Sequence, residues 1–190
     1  MQTVILDAGH GGIINGIYQT PGKRSPKWEN GAQLFEGEFN RAIKARVIEL
    51  CQLNGFTWYD LNPEQTDTPL SERVKIANNI ANSFLISIHA NAGGGKGCEV
   101  FISKNASATS QKIAAFAEQK YNAVFPGYTW RGIKKENFSI IHNTRMPAVL
   151  FECFFMDNMH ECNEILLTLQ GRNKCAEWIF KTIKKTFKNV

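Results

Sequence analysis

The chain of 190 residues is 43% hydrophobic, with ordinary Gly and Pro usage, which suits one globular domain with its own core and argues against intrinsic disorder. No run approaches the roughly 20 apolar residues of a membrane span, and the five cysteines, odd in number and widely spaced, suggest neither a disulfide framework nor a paired metal or redox motif. A formal charge of +5 and a pI near 9.0 allow an anionic partner, whether nucleic acid, lipid surface or acidic wall polymer, without choosing among them.

Met1 leads straight into TVILDAGHGG, with no basic leader and no small-residue cleavage site, so no Sec export signal of its own is expected and synthesis in a cytosol with reduced thiols follows. Short apolar, β-branched runs at TVILDA, FTWYDL, FLISIHA, CEVFIS, FSIIH and AVLFEC read as strands. The first helix is predicted to begin near Glu38, with Phe39, Ile43, Val47 and Leu50 on one face and Gly55 as a stop. A second is predicted from Thr68 as N-cap and Pro69 as first helical residue, burying Val74, Ala77 and Ala81. Ile113, Phe116, Ala117 and Val124 mark a third, and Ala176, Ile179, Ile183 and Phe187 a last one, opposite Lys181, Lys184, Lys185 and Lys188. Strands alternating with helices predict an α/β fold: a single mostly parallel, mixed sheet of about six strands flanked by helices on both faces. With no repeat, linker or composition shift, residues 1–190 read as one domain.

Three predicted strands deliver chemistry to their C-terminal ends, the edge where open α/β sheets bind ligands. The first ends at Asp7 and puts His10 in a glycine turn, FLISIHANAGGG delivers His89 ahead of a glycine-rich loop, and AVLFECFFMDN delivers Glu152 into apolar surroundings that demand a partner charge or a proton. Glu36 and Glu38 stand just before the predicted first helix, and either could reach the histidines. Two histidines and a carboxylate with an open position make a catalytic zinc site, with a free carboxylate nearby to take a proton from bound water. The irregular segment from Gly11 to about Phe35 is longer than a simple connection, and a loop of that length inside a compact domain is functional or disordered. Its Lys23, Arg24 and Trp28 are candidates for gripping substrate.

The stretches LDAGHGG, FEGEFN, LSERVKIAN, FLISIHANA, GCEVFIS and MPAVLFECFFMDN resemble, in order and over nearly the whole chain, the zinc-dependent N-acetylmuramoyl-L-alanine amidases of the Amidase_3 type. The resemblance implies one zinc ion per chain held by His10, Glu36 and His89, with Glu36 set by a Glu-x-x-x-Asn pattern ending at Asn40, and Glu152 as the catalytic glutamate. Glu38 is the fallback ligand. Asn91 and Arg73 also match family positions, Asn91 as a further candidate for substrate binding and Arg73 as a residue that holds the site together. The family usually has a hydrophobic residue and Gly after the catalytic Glu, where this chain has Cys153-Phe154. The implied reaction is hydrolysis of the amide between N-acetylmuramic acid and L-alanine of peptidoglycan. With one catalytic domain, no wall-binding repeat and no export signal, the resemblance further implies a monomeric, phage-type endolysin that reaches the wall after release from the host cytoplasm, with no nucleic-acid partner.

Two other functional classes find some support in the sequence. A thiol hydrolase would pair Cys98 or Cys153 with His142 or His89, but neither Cys is predicted at a helix N-terminus beside a base, where its pKa would fall. A non-enzymatic wall- or nucleic-acid-binding module would use the positive charge with Trp28, Trp58, Trp130 and Trp178, yet these are scattered through predicted strands and helices, where core packing is the simpler account. For the basic C-terminal helix, packing on the sheet is expected ahead of contact with an anionic membrane.

Overall fold

The computed structural model describes residues 2–189. In chain order it contains β1 (Thr3–Ala8), a small hairpin of β2 (Ile13–Ile14) and β3 (Ile17–Tyr18), α1 (Glu36–Leu53), β4 (Trp58–Asp60), α2 (Leu70–Ala77), β5 (Ser83–Asn91) and β6 (Cys98–Ile102). There follow α3 (Ala108–Val124), β7 (Trp130–Lys135), α4 (Ser139–His142), β8 (Ala148–Phe155), α5 (Met159–Glu161), a π-helical turn (Cys162–Leu166) and α6 (Leu169–Asn189). The six-stranded sheet has the order β4-β1-β5-β8-β6-β7, and every pairing is parallel except that of β6 with β8.

Strand alternation divides the core in two. Val4, Leu6, Phe84, Ile86, Val149 and Phe151 face the larger cluster, under α1, α3 and α6. Ile5, Leu85, Ala148 and Leu150 face a smaller one, closed by Ala77 of α2 and Ile140 and Ile141 of α4. The same period turns Asp7, Ser87, His89, Glu99 and Glu152 toward the smaller face, where the short helices leave the sheet edge open.

Several predicted elements shift. FSIIH is not a strand but the helix α4, capped by Phe138 and Asn143, since a run this short and apolar has no decisive period. The sixth strand is instead WRGIKK, an edge strand with partly covered and exposed residues and two exposed lysines that block further pairing. The first helix starts two residues before Glu38, at Glu36, and Cys51 rather than Leu50 is fully buried in its last turns. The second helix is capped at Pro69, not Thr68, and stops at Ala77, leaving Ala81 exposed outside it. Trp178 is fully buried and Trp28, Trp58 and Trp130 pack against the same core. In α6, Ile179 and Ile183 are buried against the core, Lys184 and Lys188 are exposed, Lys181 pairs with Glu177, and Lys185 bonds Gln119 while lying 4.9 Å from the Phe116 ring. Among the described residues no helix is long and apolar enough to cross a membrane.

Candidate metal centre

Beyond the end of β1 the chain turns at Gly9-His10. A Cβ at Gly9 would lie 2.1 Å from Cε1 of His89, so only glycine lets this turn pass the second imidazole. His10 itself sits in the left-handed region at φ 66°, a conformation that costs of order 1 kcal/mol or more and persists where the surroundings dictate it. Asn40 Nδ2 donates to the Gly9 carbonyl at 3.0 Å and Arg41 Nη1 donates to the His10 carbonyl at 2.7 Å. Both donors come from α1, the helix whose first residue is Glu36.

Glu36 is 2% exposed and stands between the two imidazoles, with Oε2 3.3 Å from Nε2 of His10 and Oε1 3.0 Å from Nδ1 of His89. The rings are nearly perpendicular, at 87°, with centroids 5.2 Å apart. One donor atom from each of the three residues falls within 4.8 Å of the others. Burial opposes ionisation of Glu36, but the hydrogen bonds and charge of His10 and His89 outweigh it and hold the carboxyl well below the usual range. His89 is pulled the other way: burial favours its neutral form, and Glu36 prevails and raises its pKa. Two imidazole nitrogens and a buried carboxylate oxygen converging in this way fit a borderline-soft divalent cation such as zinc.

Glu152 is the register partner of His89 across the parallel β5–β8 pair and of Glu99 across the antiparallel β6–β8 pair. Its Oε2 is buried with no hydrogen-bond partner. Burial pushes the carboxyl up to about 8, with His89 opposing and Glu36 and Glu99 adding to the rise. Immediately beyond it the ladder bulges, because β5 runs from His89 to Asn91 while β8 runs from Glu152 to Phe155. Phe154 absorbs the extra residue in the left-handed region at φ 59°, its ring buried 4.9 Å from Phe125 and 5.3 Å from Tyr128. This is where the resemblance places glycine, the residue that takes such a φ without strain.

His10, Glu36, His89 and Glu152 line one open cleft of about 520 Å³. Lys23 and Asn91 line it too, whereas Arg24 is exposed outside it, its backbone bridged to Phe35, and Trp28 packs against the larger core. Asn91 Nδ2 donates to Glu99 Oε1 at 2.6 Å, and Glu99 Oε2 accepts from Arg131 Nε at 3.1 Å. Glu38 does not reach the histidines: its Oε1 accepts from the Ile13 amide in the hairpin at 3.0 Å. Arg73 bonds Asp7, Asp67 and the carbonyls of Ala8 and Thr68, tying β1 to the start of α2. Sequence reading missed Arg41 and the Glu99–Arg131 pair. The alternation that places Glu99 beside Glu152 is readable in GCEVFIS once Glu152 is suspected. Cys98 and Cys153 are fully buried. Burial holds the first thiol neutral, and the hydrogen bond to Cys175 together with burial does so for the second, while His142 is engaged by Ser103 at 2.9 Å.

The sequence model of the Amidase_3 family, N-acetylmuramoyl-L-alanine amidase, matches residues 4–185. The chain belongs to this family. It is 29% identical over 166 residues to the sporulation-specific N-acetylmuramoyl-L-alanine amidase of Bacillus subtilis, covering 87% of this chain and 60% of that protein. It is 38% identical over 169 residues to the endolysin of Bacillus phage SPP1, covering 83% and 56%. Its fold superposes on the catalytic domain of the amidase CwlV from Bacillus (Paenibacillus) polymyxa var. colistinus with a TM-score of 0.80 at 28% identity, covering 99% of both chains. The chain thus spans little more than half of the two curated relatives and nearly all of the solved CwlV catalytic domain.

Proposed function

We propose that this chain is a zinc-dependent N-acetylmuramoyl-L-alanine amidase, cleaving the amide between the lactyl group of N-acetylmuramic acid and L-alanine of peptidoglycan. The observation that carries the reading is the convergence of His10, Glu36 and His89 beside Glu152, whose Oε2 is buried and unpartnered; the Amidase_3 match supports the choice of bond. His10, Glu36 and His89 would hold one zinc ion, which when bound supplies a Lewis acid and acidifies water to a pKa of roughly 7.

The chain's own residues supply the rest. Glu152, with its Oε2 buried and without a hydrogen-bond partner, takes the proton of the attacking water and returns it to the departing alanine amine. Arg41 and Asn40 fix the His10 turn by holding its carbonyls, and Arg73 fixes β1 through Asp7, so the donor atoms are preorganised before substrate arrives. Lys23 and Asn91, on the cleft wall, contact the substrate.

A lytic role of the endolysin type, in which one catalytic domain made in a host cytoplasm reaches the wall after release, is supported by the similarity to the SPP1 endolysin. Mass spectrometry of purified sacculi digested with the protein tests the reading. Stem peptides with a free L-alanine amine and uncut glycan chains are expected, and new reducing sugar ends without free stem peptides would contradict it.

A further inference from the structure

The cleft is lined by residues of two kinds. Lys23 and Asn91 are polar, and Lys23 brings an ammonium; α2 and α4 contribute Leu70 and Phe138, with Ile140 and Leu150. Large apolar side chains are normally covered, yet Leu70 is 51% and Phe138 40% exposed. Neither is loosely placed. Leu70 opens α2, beside Pro69, and Phe138 caps α4 with its ring held edge-on to Phe101 of β6 at 5.1 Å.

A fixed, half-exposed aromatic ring and an exposed leucine in the lining of one cleft, on the neighbouring elements α2 and α4, complement a flat, neutral ligand with an apolar face and a polar rim. The substrate of the proposed reaction offers one such part. On the acyl side of the scissile amide stands a neutral pyranose whose axial C–H groups form an apolar face. On the amine side runs a peptide bearing carboxylates. Lys23 attracts the peptide to its own side, whereas beside Leu70 the two carboxylates of Asp7 and Asp67 share the single guanidinium of Arg73, a net negative balance that disfavours an anionic peptide there.

From this we infer that Phe138 and Leu70 form a sugar subsite. The muramyl ring stacks on Phe138 beside α2 and α4 while the stem peptide leaves past Lys23 and Asn91. The inference rests on the amidase reading for the identity of the substrate, and it concerns binding rather than bond cleavage.

The test measures affinity for soluble, peptide-free glycan chains by calorimetry on the metal-free protein, so that no turnover is needed. Phe138→Ala should weaken glycan binding roughly five- to tenfold, Leu70→Ala should weaken it less, and Phe138→Trp should restore it. Affinity for free stem peptide should stay within about twofold in all three variants, and unchanged melting temperatures should confirm that each is folded. A wild-type protein that binds stem peptide but not the glycan, or a Phe138→Ala variant that loses both ligands equally, would overturn the subsite. Glycan binding lost with Phe138 in a protein that releases no stem peptides with a free L-alanine amine from sacculi would instead leave the subsite standing and sink the amidase reading.

Discussion

Glu152 stands directly across the parallel β5–β8 pair from His89, on the same face of the sheet, and the bulge at Cys153-Phe154 begins one residue later. The carboxylate is thereby delivered beside the Glu36–His89 contact without joining it, and its Oε2 is left buried and unpartnered. A base that must accept and release a proton needs this combination of proximity and freedom.

Glu152 should make the metal-free protein sensitive to pH. Its folded carboxyl titrates at about 8, above the usual 4.5, so between these values the unfolded chain is ionised while the folded one keeps its proton. Stability is therefore lost as pH rises through that window, by of order a few kcal/mol. Thermal melts in chelator at pH 5 and pH 8 should show a larger drop for wild type than for Glu152→Gln. Equal drops would place the ionised carboxylate in a solvated site.

Phe154 occupies a backbone conformation that favours glycine while filling the core with its ring. Deleting the ring should cost about 3–5 kcal/mol. Phe154→Gly recovers the left-handed strain and Phe154→Ala does not, so the glycine variant should be more stable than the alanine variant by about 1 kcal/mol. Denaturant melts give the order, and alanine above glycine would contradict the strain.

All five cysteines are buried. Iodoacetamide at pH 8 should leave the native protein unmodified and label all five after unfolding, as read by intact mass. Cys98→Ala and Cys153→Ala should remain active, with a modest loss of stability. Rapid native labelling of Cys98 or Cys153 with loss of activity would revive a thiol mechanism.

The C-terminal helix should behave as a packing element. Ile183→Asp should unfold the domain or sharply lower its melting temperature. Changing Lys181, Lys184, Lys185 and Lys188 to glutamine should leave sacculus activity nearly intact, since Lys184 and Lys188 are exposed and the pairs of Lys181 and Lys185 lie at the surface. Leakage of anionic liposomes by wild type, lost in the lysine-free variant, would show instead that the helix works on membranes.

Much of this was legible in the sequence because strand ends carry strong signals. His10 and His89 each follow an apolar run, Glu152 is the one charged residue inside another, and the buried stripes of α1, α3 and α6 follow the helical period. The edge strand Trp130–Lys135 was not legible: with one face partly exposed and lysines at its end, it lacks the apolar density of the inner strands. FSIIH reads as a strand because a run of five residues with so few polar positions fits either period. Trp28 reads as a cleft residue from its place in the loop, yet the loop folds back and lays it on the core, a tertiary outcome that local spacing cannot encode. Arg41 was hidden for a similar reason. A charged residue on a helix usually faces solvent, and only the fold brings its guanidinium under the carbonyls of His10, Glu64 and Thr66.

Zinc content and turnover measured on the same samples of wild type, His10→Ala, His89→Ala and Glu152→Gln test the proposed centre most directly. Wild type should carry one zinc and release stem peptides from sacculi. The histidine variants should lose metal and activity together, and Glu152→Gln should keep its zinc while turnover falls by about 10²-fold or more. Full zinc occupancy in both histidine variants, or undiminished turnover in Glu152→Gln, would contradict it.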